Sequence, residues 1–376
     1  MIIGIPKEDR PGETRVALVP ETVKALVKAG HQVVVEASAG EAASYADQDY
    51  RQAGATVALG PKAMEGVQLV ARVNRPGWNA SPQEAVKGIP QGAALVSFLQ
   101  PFQQRPLLEA LAARNITAFS MELIPRISRA QSMDALSSQA TVAGYKAVLL
   151  AANRYPRFLP MFMTAAGTIQ PARALILGAG VAGLQAIATA RRLGAVVEAF
   201  DTRPVVKDQV ESLGARFIAL DTPHEDAQDA GGYAKALSED QHQRELELIA
   251  QRIAKADLVI TTAQIPGKKS PLLVTRAMVE SMRPGSVIVD LAAEGGGNCE
   301  LTKADQEVEH QGVLLLGPTN LPAHMPSAAS WMYARNLVNL LGLMAGPQGL
   351  KEDLGDDILK GSLVTRGGKI VHPALG

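Results

Sequence analysis

Between residues 173 and 201 the chain shows a strand pattern, a glycine-rich turn, a helix pattern and a second strand pattern in direct succession. The apolar run Arg173–Leu177 leads into Gly178-Ala179-Gly180-Val181-Ala182-Gly183, and helix formers then continue over Leu184–Leu193. After one more glycine, Ala195–Phe200 has the composition of a second strand. Few chance sequences meet all of these conditions, so the segment predicts a parallel β-α-β unit.

Each glycine of this turn permits something that a side chain would prevent. Gly178 allows the tight turn, Gly180 lets a ligand approach the backbone, and Gly183 lets the helix pack closely on the strand. The positive end of the helix dipole then faces that ligand, an arrangement that suits the pyrophosphate of a dinucleotide. A strand-turn-helix unit without a ligand is the alternative, since a glycine-rich turn alone is a weak signal.

The residue that closes the second strand indicates which dinucleotide is bound. Asp201 is placed to accept hydrogen bonds from the adenosine ribose hydroxyls, and its negative charge opposes a 2′-phosphate. This favours NAD(H) over NADP(H). Arg203 argues in the other direction, because an arginine near this position can contact such a phosphate.

Strand patterns alternate with helix patterns along the whole chain, which predicts the α/β class. The 376 residues exceed what one hydrophobic core usually supports. We therefore expect two doubly wound parallel-sheet, Rossmann-like domains joined by long helices. The first comprises residues 1–135 and is completed by residues 325–376, and the second, residues 136–324, is the NAD(H)-binding domain.

The predicted strands fall into two series, one for each domain. They are Ile2–Pro6, Gln32–Glu36, Leu69–Val73, Ala94–Phe98 and Ile116–Phe119 in the first, and Ala174–Leu177, Val196–Phe200, Arg216–Leu220, Leu258–Thr262, Val287–Leu291 and Val313–Gly317 in the second. The long helices are expected over Arg129–Ala152 and about Ser327–Leu341. Gly367-Gly368 predicts a hairpin turn within Ser362–Val371, and the polar stretch Asp221–Glu247 a mobile loop.

Composition and charge exclude several functions. Lysine plus arginine and aspartate plus glutamate both number 37, so no net field attracts nucleic acid or an anionic membrane. The one cysteine, Cys299, argues against a disulfide and a multi-cysteine metal site, so no metal is expected. No stretch provides the roughly 20 apolar residues of a membrane helix. The N-terminus lacks a signal-peptide pattern, so a cytoplasmic protein is expected.

Three further stretches resemble a known superfamily. They are Gly4–Glu8 with Pro11–Ala17, Glu122–Asp134, and Ala230–Lys235, and with the dinucleotide turn they extend over nearly the full length. The superfamily comprises alanine dehydrogenase and the NAD(H)-binding component, domain I or the alpha subunit, of proton-translocating NAD(P) transhydrogenase. Glu122–Asp134 and Ala230–Lys235 resemble transhydrogenase specifically.

The residues that alanine dehydrogenase needs for its own chemistry are only partly present. That family binds the substrate and moves protons with an arginine, a lysine, a histidine and an aspartate. Arg15 matches the arginine, but Asn74 and Gln100 occupy the positions of the lysine and the histidine. Neither amide titrates near neutral pH, so the resemblance implies that this proton chemistry is absent. Arg15 is then expected to be a structural ion-pair residue.

Direct hydride transfer between two nicotinamide rings needs no general acid or base, only close and correctly oriented rings. In the transhydrogenase motif, the residues that match Arg126, Gln131, Asp134 and Ser137 surround the nicotinamide end, and the resemblance assigns them this role here. Arg126 and Gln131 are expected to fix the carboxamide, while Asp134 accepts from it or pairs with Arg126. The alternative is a capped helix start, in which Asp134 and Ser137 bond only to local groups.

The cofactor site implied by the resemblance extends beyond these residues. Contacts are expected from Ile127, Ser128, Val181, Ala182, Thr202, Arg203 and Gln264, in addition to Gly178, Gly180, Gly183 and Asp201. Gly232 and Tyr233 could close over the cofactor as a lid, or belong to an ordinary surface loop. Glu294 follows a predicted strand at the edge where such sheets bind ligands, and its role stays open.

The resemblance implies an NAD(H)-binding subunit that passes hydride between NADH and NADP⁺ held on a partner. One dinucleotide turn and no membrane span imply that the NADP(H)-binding domain and a membrane-spanning proton-channel subunit are partner chains. The family also implies a homodimer, peripheral on the cytoplasmic face of the inner membrane through its partners. Two other functions stay open: an alanine dehydrogenase-like oxidoreductase, and a non-enzymatic NAD-sensing protein.

Overall fold

The structure is a computed structural model that describes residues 1–218, 239–265, 269–346, 349–351 and 355–375. These residues form two compact units, Met1–Gln139 with Pro322–Gly376, and Ala140–Leu321. The sequence patterns place the two boundaries a few residues away, at 135/136 and 324/325. Each unit is built on a mostly parallel sheet, which confirms the predicted α/β class. Among the described residues, no helix combines the length and the hydropathy needed to cross a membrane.

Six parallel strands form the N-terminal part of the first unit. They are β1 (Ile2–Ile5), β2 (Gln32–Glu36), β3 (Thr56–Ala58), β4 (Leu69–Ala71), β5 (Ala94–Ser97) and β6 (Thr117–Ser120). Between them lie α1 (Pro20–Lys28), α2 (Asp47–Gln52), α3 (Pro82–Ala85) and α4 (Arg105–Ala113). The strand order β3-β2-β1-β4-β5-β6 reverses beside β1, as in a doubly wound sheet.

The boundary between the units falls inside one helix, α5 (Ala135–Arg154). The second unit then begins with a separate antiparallel hairpin, β7 (Phe162–Thr164) and β8 (Gly167–Ile169), most of which is exposed. The sequence patterns do not predict this hairpin, because its side chains do not alternate between a core and solvent.

The described residues of the second unit form a main sheet of seven strands in the order β11-β10-β9-β12-β13-β15-β14. They are β9 (Arg173–Leu177), β10 (Val196–Phe200), β11 (Arg216–Ile218), β12 (Leu258–Thr261), β13 (Val287–Asp290), β14 (Glu307–His310) and β15 (Val313–Leu316). The helices are α6 (Val181–Arg192), α7 (Lys207–Ser212), α8 (Glu239–Ile253) and α9 (Arg276–Glu280). All strand pairs are parallel except β14 with β15, and the order again reverses beside the first strand.

The C-terminal segment completes the first unit. It contains α10 (Pro326–Met344), β16 (Ala345–Gly346), β17 (Gly349–Leu350), α11 (Asp357–Ser362), β18 (Leu363–Arg366) and β19 (Lys369–Ile370). β18 joins the sheet antiparallel to β6, and β19 extends it to eight strands. The predicted hairpin is confirmed, and Gly367 and Gly368 have the positive φ values, 58° and 77°, that its two-residue turn requires.

Three expectations from the sequence are wrong in detail. The helix expected from Arg129 begins at Ala135, because the backbone of Asp134 is not helical and its carboxylate accepts the Ser137 amide at 2.9 Å. α10 lies wholly within the first unit and does not join the two. Residues 239–247, expected in a mobile loop, belong to α8, and the preceding part of that stretch lies outside the described residues.

Candidate functional site

The predicted dinucleotide turn lies where the strand order of the second sheet reverses, between the carboxyl ends of β9 and β12. Doubly wound sheets bind their ligands at this point. β9 ends at Leu177 and α6 begins at Val181, so the turn connects the strand to the helix as expected.

The three glycines of the turn differ in what surrounds them. Gly178 has a φ of +100°, and a Cβ there would lie 2.5 Å from Oγ1 of Thr262. A Cβ on Gly183 would lie 1.8 Å from the carbonyl oxygen of Gly178, so strand and helix approach too closely for any side chain. A Cβ on Gly180 would meet nothing within 4 Å. The first two glycines are therefore required by the fold, whereas Gly180 borders open space at the helix N-terminus.

Asp201 at the end of β10 is nearly buried, and both of its carboxylate oxygens already accept hydrogen bonds. Oδ2 accepts the backbone amide of Ala179 at 2.7 Å and Nη2 of Arg203 at 2.8 Å. Oδ1 accepts the backbone amide and Nε of Arg203, each at 2.9 Å. Asp201 thus holds the glycine turn through Ala179. For a ribose hydroxyl to reach this carboxylate, the Arg203 side chain has to release it.

Gln264 follows β12 and borders the same edge of the sheet. Its side-chain amide donates to the carbonyl of Leu291 at 2.8 Å. The backbone next to it is fixed by Asn298, whose Oδ1 accepts the Ala263 amide at 3.0 Å and whose Nδ2 donates to the Ala263 carbonyl at 2.9 Å. The structure therefore brings the glycine turn, Asp201 with Arg203, and Gln264 together at one edge of the second sheet.

Asp290 and Asn298 organise this edge, and the sequence patterns predict neither of them. Asp290 is fully buried, and its carboxylate accepts the backbone amides of Ala292 and Asn298 and the hydroxyls of Thr261 and Thr302, at 2.7 to 2.9 Å. The sequence offers two signals for these residues: an aspartate that ends a buried strand, and an asparagine that follows three glycines. They do not reveal which loops the side chains join, because those contacts span up to 35 residues.

The residues assigned to the nicotinamide lie in the first unit. Arg126, Ile127, Ser128 and Gln131 are all exposed. A 3₁₀ turn over Ser128–Met133 begins directly after Ile127 and carries Ser128 and Gln131. Asn336 and Asn339 of α10 hold that turn, since both donate to the Ser132 carbonyl at 2.9 Å. Exposed polar side chains on a fixed turn are available to a ligand.

Asp134 and Ser137 bond to each other at the start of α5. Besides the amide contact already described, Oδ2 of Asp134 accepts the Ser137 hydroxyl at 2.5 Å. This is the geometry of the capped helix start, the alternative that the sequence leaves open. The cap fixes the position of α5 relative to the preceding 3₁₀ turn.

Arg15 lies in a buried polar cluster of the first unit. Its guanidinium donates to both carboxylate oxygens of Glu13, at 2.8 and 2.7 Å, and to Oε1 of Gln139 at 2.9 Å. Asn74 is buried in the same cluster and donates to Glu13 at 2.7 Å. Burial would raise the pKa of Glu13, but the hydrogen bonds and charge of Arg15 outweigh it and lower that pKa to about 2. Arg15 therefore serves as the counterion of a protein carboxylate.

The remaining candidates are distributed as follows. Gln100 follows β5 in a left-handed conformation with a φ of 51°, and its backbone amide donates to Glu122 at 2.8 Å. Glu294 is exposed on a short 3₁₀ turn after β13. Gly232 and Tyr233 lie outside the described residues.

Fold and turn together define a dinucleotide-binding α/β protein. The chain belongs to the alanine dehydrogenase/PNT family, whose N-terminal domain matches residues 4–143 and whose C-terminal domain matches residues 147–373. Nicotinamide nucleotides are the cofactors of this family, as the glycine turn predicts. The predicted fold class and family are therefore both confirmed.

Within the family, the chain is more similar to transhydrogenases than to alanine dehydrogenases. It is 49% identical to an NAD(P) transhydrogenase alpha subunit of Rhodospirillum rubrum, over 100% of this chain and 99% of that one. A transhydrogenase crystal structure from Sinorhizobium meliloti superposes with a TM-score of 0.86 at 45% identity, covering 100% of both chains. Alanine dehydrogenase of Bacillus subtilis is 30% identical over 100% of this chain and 94% of its own length.

Proposed function

We propose that this chain is the NAD(H)-binding subunit of a proton-translocating NAD(P) transhydrogenase and passes hydride between NADH and NADP⁺ held on a partner subunit. The observation that carries the proposal is the pair Asn74 and Gln100, two amides at the positions where the resemblance to alanine dehydrogenase implies a lysine and a histidine. Asn74 is also committed to Glu13. Hydride exchange between two nicotinamides moves no proton to a substrate heteroatom, so it does not need the missing groups. The similarity to transhydrogenase alpha subunits supports the same conclusion.

The second unit supplies the residues that would hold NAD(H). The open space beside Gly180, at the N-terminus of the 12-residue helix α6, suits a pyrophosphate that accepts backbone amides and meets the positive helix end. Val181 and Ala182 provide amides in the first turn of this helix. Asp201, with Arg203 released, would accept the ribose hydroxyls. When bound, NADH supplies the hydride.

The first unit would supply the residues that orient the nicotinamide. Arg126 and Gln131 can donate to the carboxamide oxygen, and Gln131 can accept from its amino group, which sets the face of the ring that is presented. Ile127 and Ser128 lie next to them on the same exposed stretch. Asp134 and Ser137 position this stretch through the helix cap. Orientation of the ring is the main contribution that a protein can make to a direct hydride transfer.

Two partner chains complete the proposed enzyme: one that binds NADP(H), and one that spans the membrane and conducts protons. The chain would then lie on the cytoplasmic face of the inner membrane, held there by those partners. Membrane anchoring through a partner is compatible with the described helices, none of which is long and apolar enough to span.

We also propose that the chain forms a homodimer, and the β7–β8 hairpin supports this. Met161, Phe162 and Met163 expose large apolar side chains on or next to it, and Phe158 is exposed beside them, with its ring 4.9 Å from that of Phe162. Contiguous exposed apolar side chains usually mark an interaction surface.

The proposed activity can be tested by mixing the purified chain with an isolated NADP(H)-binding transhydrogenase domain. Hydride transfer from NADH to a thio analogue of NADP⁺ is then followed by absorbance. Transfer that requires both proteins is expected. Arg126→Ala should slow it by about tenfold to a hundredfold without a change in thermal stability, because the ring loses its orientation.

Arg129→Ala is the matched control, since Arg129 lies on the neighbouring 3₁₀ turn but pairs with Asp356 at 2.5 Å. Its transfer rate should stay within about twofold of the wild type, as expected for loss of an exposed ion pair. Steady NADH oxidation with pyruvate and ammonium would instead establish a dehydrogenase. NADH binding without transfer to any partner would favour the NAD-sensing alternative.

A further inference from the structure

Glu245 on α8 is a buried carboxyl group without a full set of partners. Its side chain is 2% exposed. Oε1 accepts no hydrogen bond from any residue within the described ranges, and among those residues Nδ1 of His242 lies 3.6 Å from Oε2. A buried carboxylate oxygen that accepts no hydrogen bond destabilises the folded protein, so such groups usually meet a ligand or water.

Glu245 lies near the adenosine end of the proposed cofactor site, because Ile249 and Ile253 of the same helix pack in one hydrophobic cluster with Phe200, the residue before Asp201. Burial, and then the negative charge of Asp201, raise the pKa of Glu245 to about 7. Thr202, next to Asp201, also has a buried hydroxyl that bonds to no described residue. Among the described residues, Asp201 and His242 are titratable groups that interact with Glu245, and Arg203 pairs with Asp201.

The ion pair between Asp201 and Arg203 changes which residue can discriminate between the two nucleotides. Because Arg203 neutralises Asp201 through two hydrogen bonds, the pair presents little net charge to a 2′-phosphate. Once released, the guanidinium could even attract that phosphate. Discrimination against NADP(H) therefore requires a further negative charge at this edge.

We propose that Glu245 is a specificity-determining residue for the adenosine ribose: its free oxygen accepts a hydrogen bond from a ribose hydroxyl of NAD(H), and its charge excludes the 2′-phosphate of NADP(H). The inference rests on the proposed function, which places the adenosine ribose beside Asp201. The exclusion of NADP(H) would result from charge repulsion, because the Glu245 carboxylate and a dianionic 2′-phosphate would lie close together in a poorly solvated site.

A pH dependence follows from the ionisation of Glu245. With a pKa of about 7, the carboxyl group is mostly neutral near pH 6 and mostly charged near pH 8. Selectivity for NADH over NADPH should therefore rise by about tenfold across this interval, the change that roughly one pKa unit of interaction produces. The 2′-phosphate itself ionises near pH 6, so the diagnostic quantity is the difference between the wild type and a variant that cannot titrate.

The test measures the dissociation constants of NADH and NADPH by nucleotide fluorescence on the full chain at about pH 6 and pH 8. Glu245→Gln keeps an acceptor oxygen but no charge, so we expect NADH affinity within about threefold of the wild type and NADPH affinity raised about tenfold at pH 8. NADH binding by this variant also shows that its site is folded. Glu245→Ala is a second variant with the same expected gain in relative NADPH affinity.

Glu247→Gln is the matched control, because it makes the same change two residues along α8 at an exposed position. It should retain wild-type selectivity at both pH values. His242→Gln should retain the pH dependence, and if it alone abolishes that dependence, His242 and not Glu245 is the titrating group. Unchanged selectivity and pH profile in Glu245→Gln would overturn the proposal. Failure of the wild type to bind NADH would instead overturn the proposed function.

Discussion

The guanidinium of Arg15 meets the carboxylate of Glu13 at two points, Nε to Oε1 at 2.8 Å and Nη2 to Oε2 at 2.7 Å, in a pair that solvent hardly reaches. Asn74 donates to the same carboxylate, and Gln139 accepts from the same guanidinium. In an alanine dehydrogenase-like enzyme this arginine would bind the carboxylate of the substrate. Here its hydrogen bonds go to protein groups, which favours the structural role expected from the sequence.

Replacing Arg15 with alanine should therefore destabilise the first unit. The variant leaves Glu13 as a buried carboxylate without its counterion, and breaking a buried pair in this way typically costs about 3–5 kcal/mol. Urea unfolding measures the loss. Lys87→Ala, which breaks an exposed ion pair with Glu84, is the control and should change stability by less than about 1 kcal/mol. A similarly small change for Arg15→Ala would show that Glu13 does not depend on it.

The same pair predicts how stability depends on acid. Because the folded pKa of Glu13, about 2, is below its ordinary value of 4.5, ionised Glu13 stabilises the folded state above about pH 4.5. That contribution, about 3 kcal/mol from a shift of this size, should disappear as the pH falls from 4.5 through 2. Glu13→Gln does not titrate, so the stability difference between wild type and variant should narrow over this interval. If the stability difference between the wild type and Glu13→Gln stayed constant between pH 6 and pH 3, the lowered pKa of Glu13 would be contradicted.

Much of the fold can be predicted from the sequence because buried parallel strands are short, continuous apolar runs. Every strand of the two predicted series occurs within one or two residues of its expected bounds among the described residues. The glycine turn is equally local: strand, glycine spacing, helix and closing aspartate all lie within 29 residues, Arg173 to Asp201. Local patterns of this kind carry their own physical explanation.

The features that escape prediction depend on contacts between distant residues or on a choice between two partners. Asp201 lies at the end of β10 as predicted. The amino-acid sequence cannot show that the Arg203 side chain bonds to the carboxylate oxygens that are expected to bind the ribose. Glu245 lies 44 residues after Asp201 on a polar helix, where nothing in the pattern distinguishes it from its exposed neighbours. Asp134 looks like a helix residue, but capping by its carboxylate moves the start of α5.

Two glycines of the dinucleotide turn should respond differently to the same substitution. Gly180→Ala has open space and a φ of −74°, so its stability should stay within about 1 kcal/mol of the wild type. Its NADH affinity should fall at least about tenfold, because the new methyl group occupies the space proposed for the pyrophosphate. Gly183→Ala places a Cβ 1.8 Å from the Gly178 carbonyl oxygen and should lose about 3 kcal/mol or more. Thermal unfolding measures the change in stability, and NADH fluorescence measures the change in affinity. If Gly180→Ala bound NADH with wild-type affinity, the pyrophosphate would not bind at this turn.

If the β7–β8 hairpin forms the interface of the proposed homodimer, a charged side chain introduced there should weaken association of the subunits. Met163 on this hairpin is 81% exposed, and other large apolar side chains lie beside it. Leu59, directly after β3 in the first unit, is equally exposed, but its chain neighbours are an alanine and a glycine. Met163→Glu would bury a carboxylate in the interface, so the dissociation constant of the dimer should rise at least about tenfold. Leu59→Glu likewise replaces one exposed apolar side chain with a carboxylate, and it should leave the dissociation constant of the dimer unchanged.

Sedimentation equilibrium over a range of protein concentrations measures both variants, with NADH binding as the check that each is folded. A wild type that is monomeric at all concentrations would refute the dimer itself. A dimer that tolerates Met163→Glu but is weakened by Leu59→Glu would move the interface from the hairpin to the first unit. Loss of association in Met163→Glu alone would identify the hairpin as the contact, because only there does the added charge lie among apolar groups that a second subunit would remove from water.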